Sequence, residues 1–156
     1  MQRQMELGSA RIEWLILADA AQVVGNKLFL LGGGWDVLNV NQPLPIQHIL
    51  AVALSVKVPW HETNQRHHVE LDIVTDDGDK LATIGGFIEM GRPAGIRPGQ
   101  EQRSQLAFNV GLKLEKPGMY VIVGRLEGVE QARTHFTVVP GPGAQSPRQG
   151  QRQQGE

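Results

Sequence analysis

An all-β, single-domain antiparallel β-sandwich of about nine strands is predicted by three observations. Apolar residues recur with a period of two along several segments, Gly- and Pro-rich turn chemistry separates those segments, and no amphipathic helical stretch of ten or more residues occurs. Alternation puts successive side chains on opposite faces of a strand, so each such segment carries one apolar stripe for a core. Many short strands at close spacing favour a sandwich over an α/β fold.

The clearest segment is His48 to Val58, where His48, Leu50, Val52, Leu54, Val56 and Val58 share one parity. Pro59, which has no N–H to give a ladder, stops it. His68, Glu70 and Asp72 then alternate with Val69, Leu71 and Ile73. Asp76-Asp77-Gly78-Asp79 is a turn signal with a glycine suited to positive φ, and Lys80 to Met90 returns as the paired strand. Gly85-Gly86 inside that strand predicts a bulge or bend. A second hairpin runs from Leu106 to Leu114, turns at Lys116-Pro117-Gly118, and returns through Met119 to Leu126. Ala132 to Val139 makes a last strand, with Phe136 and Val138 inward. Leu54, Leu71, Phe108, Leu112 and Ile122 are the predicted core markers.

In the N-terminal third, Arg11 to Ala18, Lys27 to Gly32 and Trp35 to Val40 read as strands. Asp19-Ala20-Ala21-Gln22 has the composition for one helical turn capped by Asp19. Gly25-Asn26 turns the chain, and Gly32-Gly33-Gly34 allows a sharp bend. The glycine run is not a phosphate cradle, because a strand rather than a helix follows it and no Gly-Lys-Ser/Thr is present. The sandwich is expected to span residues 11–139, behind a flexible N-terminus of residues 1–10. A Pro-, Gly- and Gln-rich tail, residues 140–156, has little apolar surface to offset the entropy of folding and is expected to be disordered. Gly91 to Ser104 reads as a long exposed loop.

Composition narrows the function classes. The chain has 156 residues, enough to bury a core without cross-links. It has no cysteine, which removes disulfides, thiolate nucleophiles and cysteine-based zinc sites. Net charge is −1, so no global field attracts nucleic acid or an anionic membrane. The first apolar run, Trp14 to Ala18, is too short for a signal-peptide core or a membrane span. A cytoplasmic protein is expected, without nucleic-acid or membrane partners and without a cofactor. An unnamed protein partner fits, and the oligomeric state is open.

The stretch Leu15 to Asp36, LILADAAQVVGNKLFLLGGGWD, resembles the opening of a bacterial family of uncharacterised β-sandwich proteins, a domain of unknown function. FNVGLKLEKPGMYVIVGRLEG, Phe108 to Gly128, is similar to the closing hairpin of that family. The resemblance covers roughly residues 12–139, implies the sandwich fold, and carries no assigned activity or site.

Candidate chemistry is sparse. His61, Glu62, His67 and His68 are sound metal-ligand types, but their spacing matches no short metal motif, and His67 and His68 must face opposite sides of a strand. Asp72, Asp76, Asp77 and Asp79 gather near one hairpin, as calcium-binding loops do, and are equally explained by turn preference. Arg92, Arg97 and Arg103 on the long loop form a candidate grip for an acidic partner. Trp14 and Trp35 are assigned to the core. Trp60 is either an exposed interface anchor or a plug at the sandwich end. No Gly-x-Ser-x-Gly or other nucleophile motif occurs. The leading reading is therefore a non-catalytic binding or protein-interaction module. The alternative is a metal-binding or metal-dependent protein using His61, Glu62 and His67 or His68.

Overall fold

The computed structural model describes residues 8–144. Nine strands follow one another: β1 (Arg11–Val24), β2 (Lys27–Gly33), β3 (Val37–Val40), β4 (Ile46–Val58), β5 (Arg66–Thr75), β6 (Lys80–Glu89), β7 (Gln102–Leu114), β8 (Gly118–Leu126) and β9 (Val129–Pro140). They form two sheets. One has four strands in the order β2-β1-β4-β7, and the other has five in the order β3-β9-β8-β5-β6. Pairing is antiparallel except between β3 and β9. The sandwich and its strand number are those the period-two pattern predicts.

The two sheets meet through the even-numbered residues of β4 and the inward faces of β5, β8 and β9. Leu54, Leu71, Ile122 and Phe136 are fully buried there, and Leu112 is nearly so. Phe108, also predicted as core, is only partly buried. It stands on β7, an edge strand covered by a neighbour on one side only. At one end the Phe136 ring stacks on Tyr120 and receives the edge of Trp35. The Tyr120 hydroxyl donates to the Lys116 carbonyl, which satisfies the polar end of a buried ring. Near β8, Gly124 has no side chain, and the end of Ile12 occupies the space where one would stand. That vacancy lets β1 approach the second sheet, where the Gln131 side chain accepts the Ile12 N–H.

The largest departure from simple alternation is in β1. Its first half, Arg11 to Ala18, pairs with β4, and from Ala18 to Val24 it pairs with β2. The predicted helical turn at Asp19–Gln22 is thus strand, because ladder bonds to β2 outweigh a local cap. The β1–β2 hairpin folds back over the outer face of its own sheet. Asn26 at its tip bonds the Arg103 carbonyl and the Gln105 backbone and side chain on β7. Asn109 bonds both backbone groups of Ala21 on the way. Between the hairpin and the sheet Ala18 and Ala21 pack with Ala51 and Ala53, and Trp14, Leu28, Leu30 and Ala107 pack against them. Trp14 therefore belongs to this second apolar layer and not to the space between the sheets. The turn itself uses Gly25 and Asn26, both at positive φ, as a two-residue hairpin of this hand requires.

Three further expectations are corrected. The third strand starts at Val37, because Gly34 at positive φ and its bond to the Leu17 carbonyl keep the preceding residues out of a ladder. Gly85 and Gly86 sit in regular register, and the register shift of that hairpin falls at Ile73/Val74. Gly85 instead leaves room for the His68 ring. The long connection ends at Glu101, since Gln102 to Ser104 already pair with Val58 to Val56. The described residues reach only the inner ends of the two predicted terminal segments, residues 8–10 and 140–144. Ala10 is buried and donates its N–H to Glu62, while Pro140 pairs with Val40 and the Gly141 N–H bonds the Val40 carbonyl. The remainder of the predicted N-terminal and C-terminal segments, residues 1–7 and 145–156, lies outside the described residues.

The folded-back hairpin makes a prediction that alternation alone does not. Leu54→Ala should cost about 2–5 kcal/mol, as truncations in packed cores do. Ala53→Leu, on the opposite face, should also destabilise by roughly 1–3 kcal/mol through overpacking. Urea unfolding checks both. A neutral Ala53→Leu would mean that the hairpin does not rest on β4.

Candidate functional site

Pro59 ends β4, and Trp60 to Glu62 form a single 3-10 turn that delivers the histidine cluster. The His61 side chain is exposed, with Nε2 3.9 Å from Glu62 Oε1. The other oxygen of that carboxylate accepts the Ala10 N–H at 2.7 Å. His67 turns inward and is held at both ring nitrogens: Nε2 is 2.9 Å from the Glu62 carbonyl and Nδ1 is 3.2 Å from Glu127 Oε1. His68 points to the opposite face, its ring 5.1 Å from that of Phe87. Among the described residues, no group of three His, Asp or Glu side chains gathers into a cation cage. Glu62 and His68 thus serve separate contacts, and His61 stands exposed beside Glu62.

The arginines also separate. Arg92 lies over the Trp60 ring with its guanidinium carbon 3.9 Å from the centroid. It donates to Thr63 Oγ1 and to the Trp60 carbonyl, so it clamps the 3-10 turn. Trp60 is half-buried under this clamp, between the two alternatives its sequence left open. Arg97 is exposed on the loop and forms no ion pair among the described residues. Arg103, expected on that loop, is instead a β7 residue bound through two nitrogens to the Glu13 carboxylate at 2.6 and 2.7 Å. Such paired, charge-assisted bonds leave little of the guanidinium for a ligand. Together with a bond from Ser55, they hold the Glu13 carboxyl down at about 2.

The aspartate cluster divides in the same way. Asp72 is buried, accepts from Thr83 and Arg125, and lies 3.8 Å from Lys80. Burial pushes its carboxyl up, but the hydrogen bonds and the two cations outweigh this and hold it below the usual range. Asp76, Asp77 and Asp79 shape the hairpin turn, where the Gly78 N–H bonds the Thr75 carbonyl and the Asp79 N–H bonds Thr75 Oγ1. Gly78 sits at φ 89°, as the turn chemistry predicts.

What the sequence did not single out is an exposed apolar surface on the folded-back hairpin. Phe29 is 57% exposed and Leu31 is 72% exposed. With Ala20, Ala21, Gln22 and Asn109 they line a shallow cleft. Ile49, 68% exposed, lies on the neighbouring outer face of β4 opposite Gly111. Leu28 and Leu30 point beneath the hairpin, while Phe29 and Leu31 point away from it. Every residue from Leu28 to Leu31 is apolar, so no alternation marks which pair is exposed.

Two outcomes check these assignments. Glu13 is a group whose folded pKa is depressed, so its contribution is present above the ordinary carboxylate range and is lost as pH falls through about 2. Carbon-detected NMR titration should place its midpoint there, and Arg103→Gln should return it toward the usual value; an unmoved midpoint would show that Arg103 is not the cause. At the other hairpin, Gly78→Val should cost about 1–2 kcal/mol or more, because a β-branched residue is strained at positive φ. Asp77→Asn should be nearly neutral in the same melting assay, with or without added calcium. A saturable calcium-dependent rise in melting temperature, lost in Asp77→Asn, would make the aspartates ligands.

No curated protein matches the chain. Solved structures similar to it include a glycosyl hydrolase family 2 member from Bacteroides cellulosilyticus, with 10% identity and a TM-score of 0.42 over 61% of this chain and 13% of that one. A β-glucosidase from Listeria innocua shows 10% identity and a TM-score of 0.43 over 85% of this chain and 16% of that one. The alkylpurine DNA glycosylase AlkC from Pseudomonas fluorescens, solved bound to DNA, shows 13% identity and a TM-score of 0.38 over 85% and 31%. The chain spans less than a third of the length of each, and likenesses this distant say nothing of its activity. A family of unknown function, DUF6941, matches residues 13–139, which cover the sandwich from β1 to β9, and the chain belongs to that family.

Proposed function

We propose that the protein is a non-catalytic protein-interaction module whose contact surface is the exposed face of the β1–β2 hairpin. The observation that carries this reading is the pair Phe29 and Leu31, large apolar side chains more than half exposed beside a cleft. A few large side chains that become desolvated at the centre of a contact supply most of the binding energy of an interface. The ionisable groups that would otherwise point to chemistry have structural duties: Glu13 on Arg103, Asp72 on Arg125, His67 on Glu62 and Glu127.

The reading takes the protein to be bacterial and cytoplasmic. The chain has no cysteine and so no disulfide that would call for an oxidising compartment, and no described helix is long and apolar enough to cross a membrane. The near-zero net charge supports a protein partner over nucleic acid.

Affinity capture with the wild-type chain and with Phe29→Ser/Leu31→Ser tests the reading. Both positions are exposed, so the double variant should keep the wild-type melting temperature and lose the captured partner. Capture that is indifferent to these substitutions would overturn the assignment of this surface. Metal analysis of untagged protein addresses the alternative, because stoichiometric zinc, iron or manganese that disappears in His61→Ala would favour a metal protein.

A further inference from the structure

The edges of the two sheets are not equally protected. β7, an edge of the first sheet, is clipped by Asn26 at Arg103 and Gln105 and carries Arg103 and Lys113. β3 is only four residues long, and β6 ends in Lys80 and Glu89. β2 has none of these protections. Lys27 is its only charged residue, it contains no proline, its ladder with β1 has no register shift, and among the described residues nothing pairs with its outer side. A free, apolar edge, interrupted only where Gly32 takes φ 59°, is a template for another strand.

We infer that a second copy of this chain pairs with β2, antiparallel and centred on Leu30, joining two sheets into one across a twofold axis. This deepens the interaction reading above and rests on it. The strand is self-complementary in that register. Leu30 faces Leu30 of the second copy, and Phe29 faces Leu31 of the second copy, twice over by symmetry. Directly opposed side chains in an antiparallel pair stand about 5 Å apart, close enough for the two Phe–Leu pairs to form one continuous apolar stripe. The lone charge is accommodated too. Lys27 falls opposite Gly33 of the second copy, so like charges never face each other and the glycine leaves the ammonium open to water. The exposed Phe29 and Leu31 and the unprotected edge, separate features of the monomer, both take part in this one contact.

Analytical ultracentrifugation of the full-length chain over a concentration series, with variants built on the opposed pair, tests the inference. Wild type should sediment as a dimer that dissociates on dilution. Phe29→Lys alone and Leu31→Glu alone should be monomeric at concentrations where wild type is dimeric, with unchanged far-ultraviolet circular dichroism. An equimolar mixture of the two variants should dimerise again, because one of the two symmetric contacts becomes a lysine–glutamate pair and the other regains Leu31 against Phe29. Loss of folding does not produce that rescue. A wild-type chain monomeric up to hundreds of micromolar, a dimer indifferent to both substitutions, or a mixture that stays monomeric would overturn the β2 pairing. A monomer whose captured partner is still lost in Phe29→Ser/Leu31→Ser leaves the interaction reading standing. Capture indifferent to that variant defeats the reading itself.

Discussion

The structure depends on the small side chains that line the outer face of β4. Ala51 and Ala53 are fully buried although they point away from the space between the sheets. With alanines there, and Ala18, Ala21 and Ala107 around them, a second layer of backbone can approach the sheet closely. The β1–β2 hairpin occupies that layer. β4 is thereby buried continuously from Leu50 to Val56, a condition more usual in parallel sheets covered on both faces. Larger residues at 51 and 53 would lift the hairpin, and Asn26 would no longer reach β7.

Folding the hairpin over the sheet has consequences at both of its edges. It carries Asn26 onto β7, whose backbone carbonyl at Arg103 and backbone at Gln105 are engaged by the tip. It also carries β2 onto the surface as the new edge of the sheet, with Phe29 and Leu31 turned to solvent because Leu28 and Leu30 fill the layer below. One packing constraint therefore closes one edge and opens the other. The exposed apolar surface is a by-product of the same geometry that buries the alanines, and among the described residues no strand pairs with the outer side of β2.

Much of this architecture was legible in the sequence, for definite reasons. His48 to Val58 and Leu106 to Leu114 alternate cleanly, so their strands and inward residues followed from period two alone. Asp76 to Asp79 carried turn chemistry, and Gly78 adopts the positive φ that chemistry demands. The change of partner within β1 was not legible. Nothing in Ala18 to Gln22 announces that ladder bonds pass there from β4 to β2, and the same residues satisfy a helix-cap pattern. Arg103 was misplaced because Gln102-Arg103-Ser104 is polar and follows a Pro-rich loop, whereas the bonds to Val58, Lys57 and Val56 that make it strand are long-range. The surface at Phe29 and Leu31 escaped notice for a related reason. An all-apolar run tells which residues prefer burial, and only the three-dimensional arrangement tells which of them are left without it.

The distribution of charge supports the same division between structure and contact. Glu13 faces a guanidinium and a hydroxyl, and Asp72 faces a guanidinium, a hydroxyl and an ammonium. Both carboxylates are held in their ionised form by groups from another strand, so these bonds fix strand position. His67 likewise ties the 3-10 turn after β4 to Glu127, in the turn between β8 and β9, and Arg92 ties that turn to the loop before β7. Polar side chains of this kind serve as pins. The hairpin surface, by contrast, is held in place from beneath by Leu28, Leu30 and the alanine layer, and from its tip by Asn26. Its exposed residues stand on a backbone fixed from below and at its tip, so a contact there would have side chains but little backbone to order.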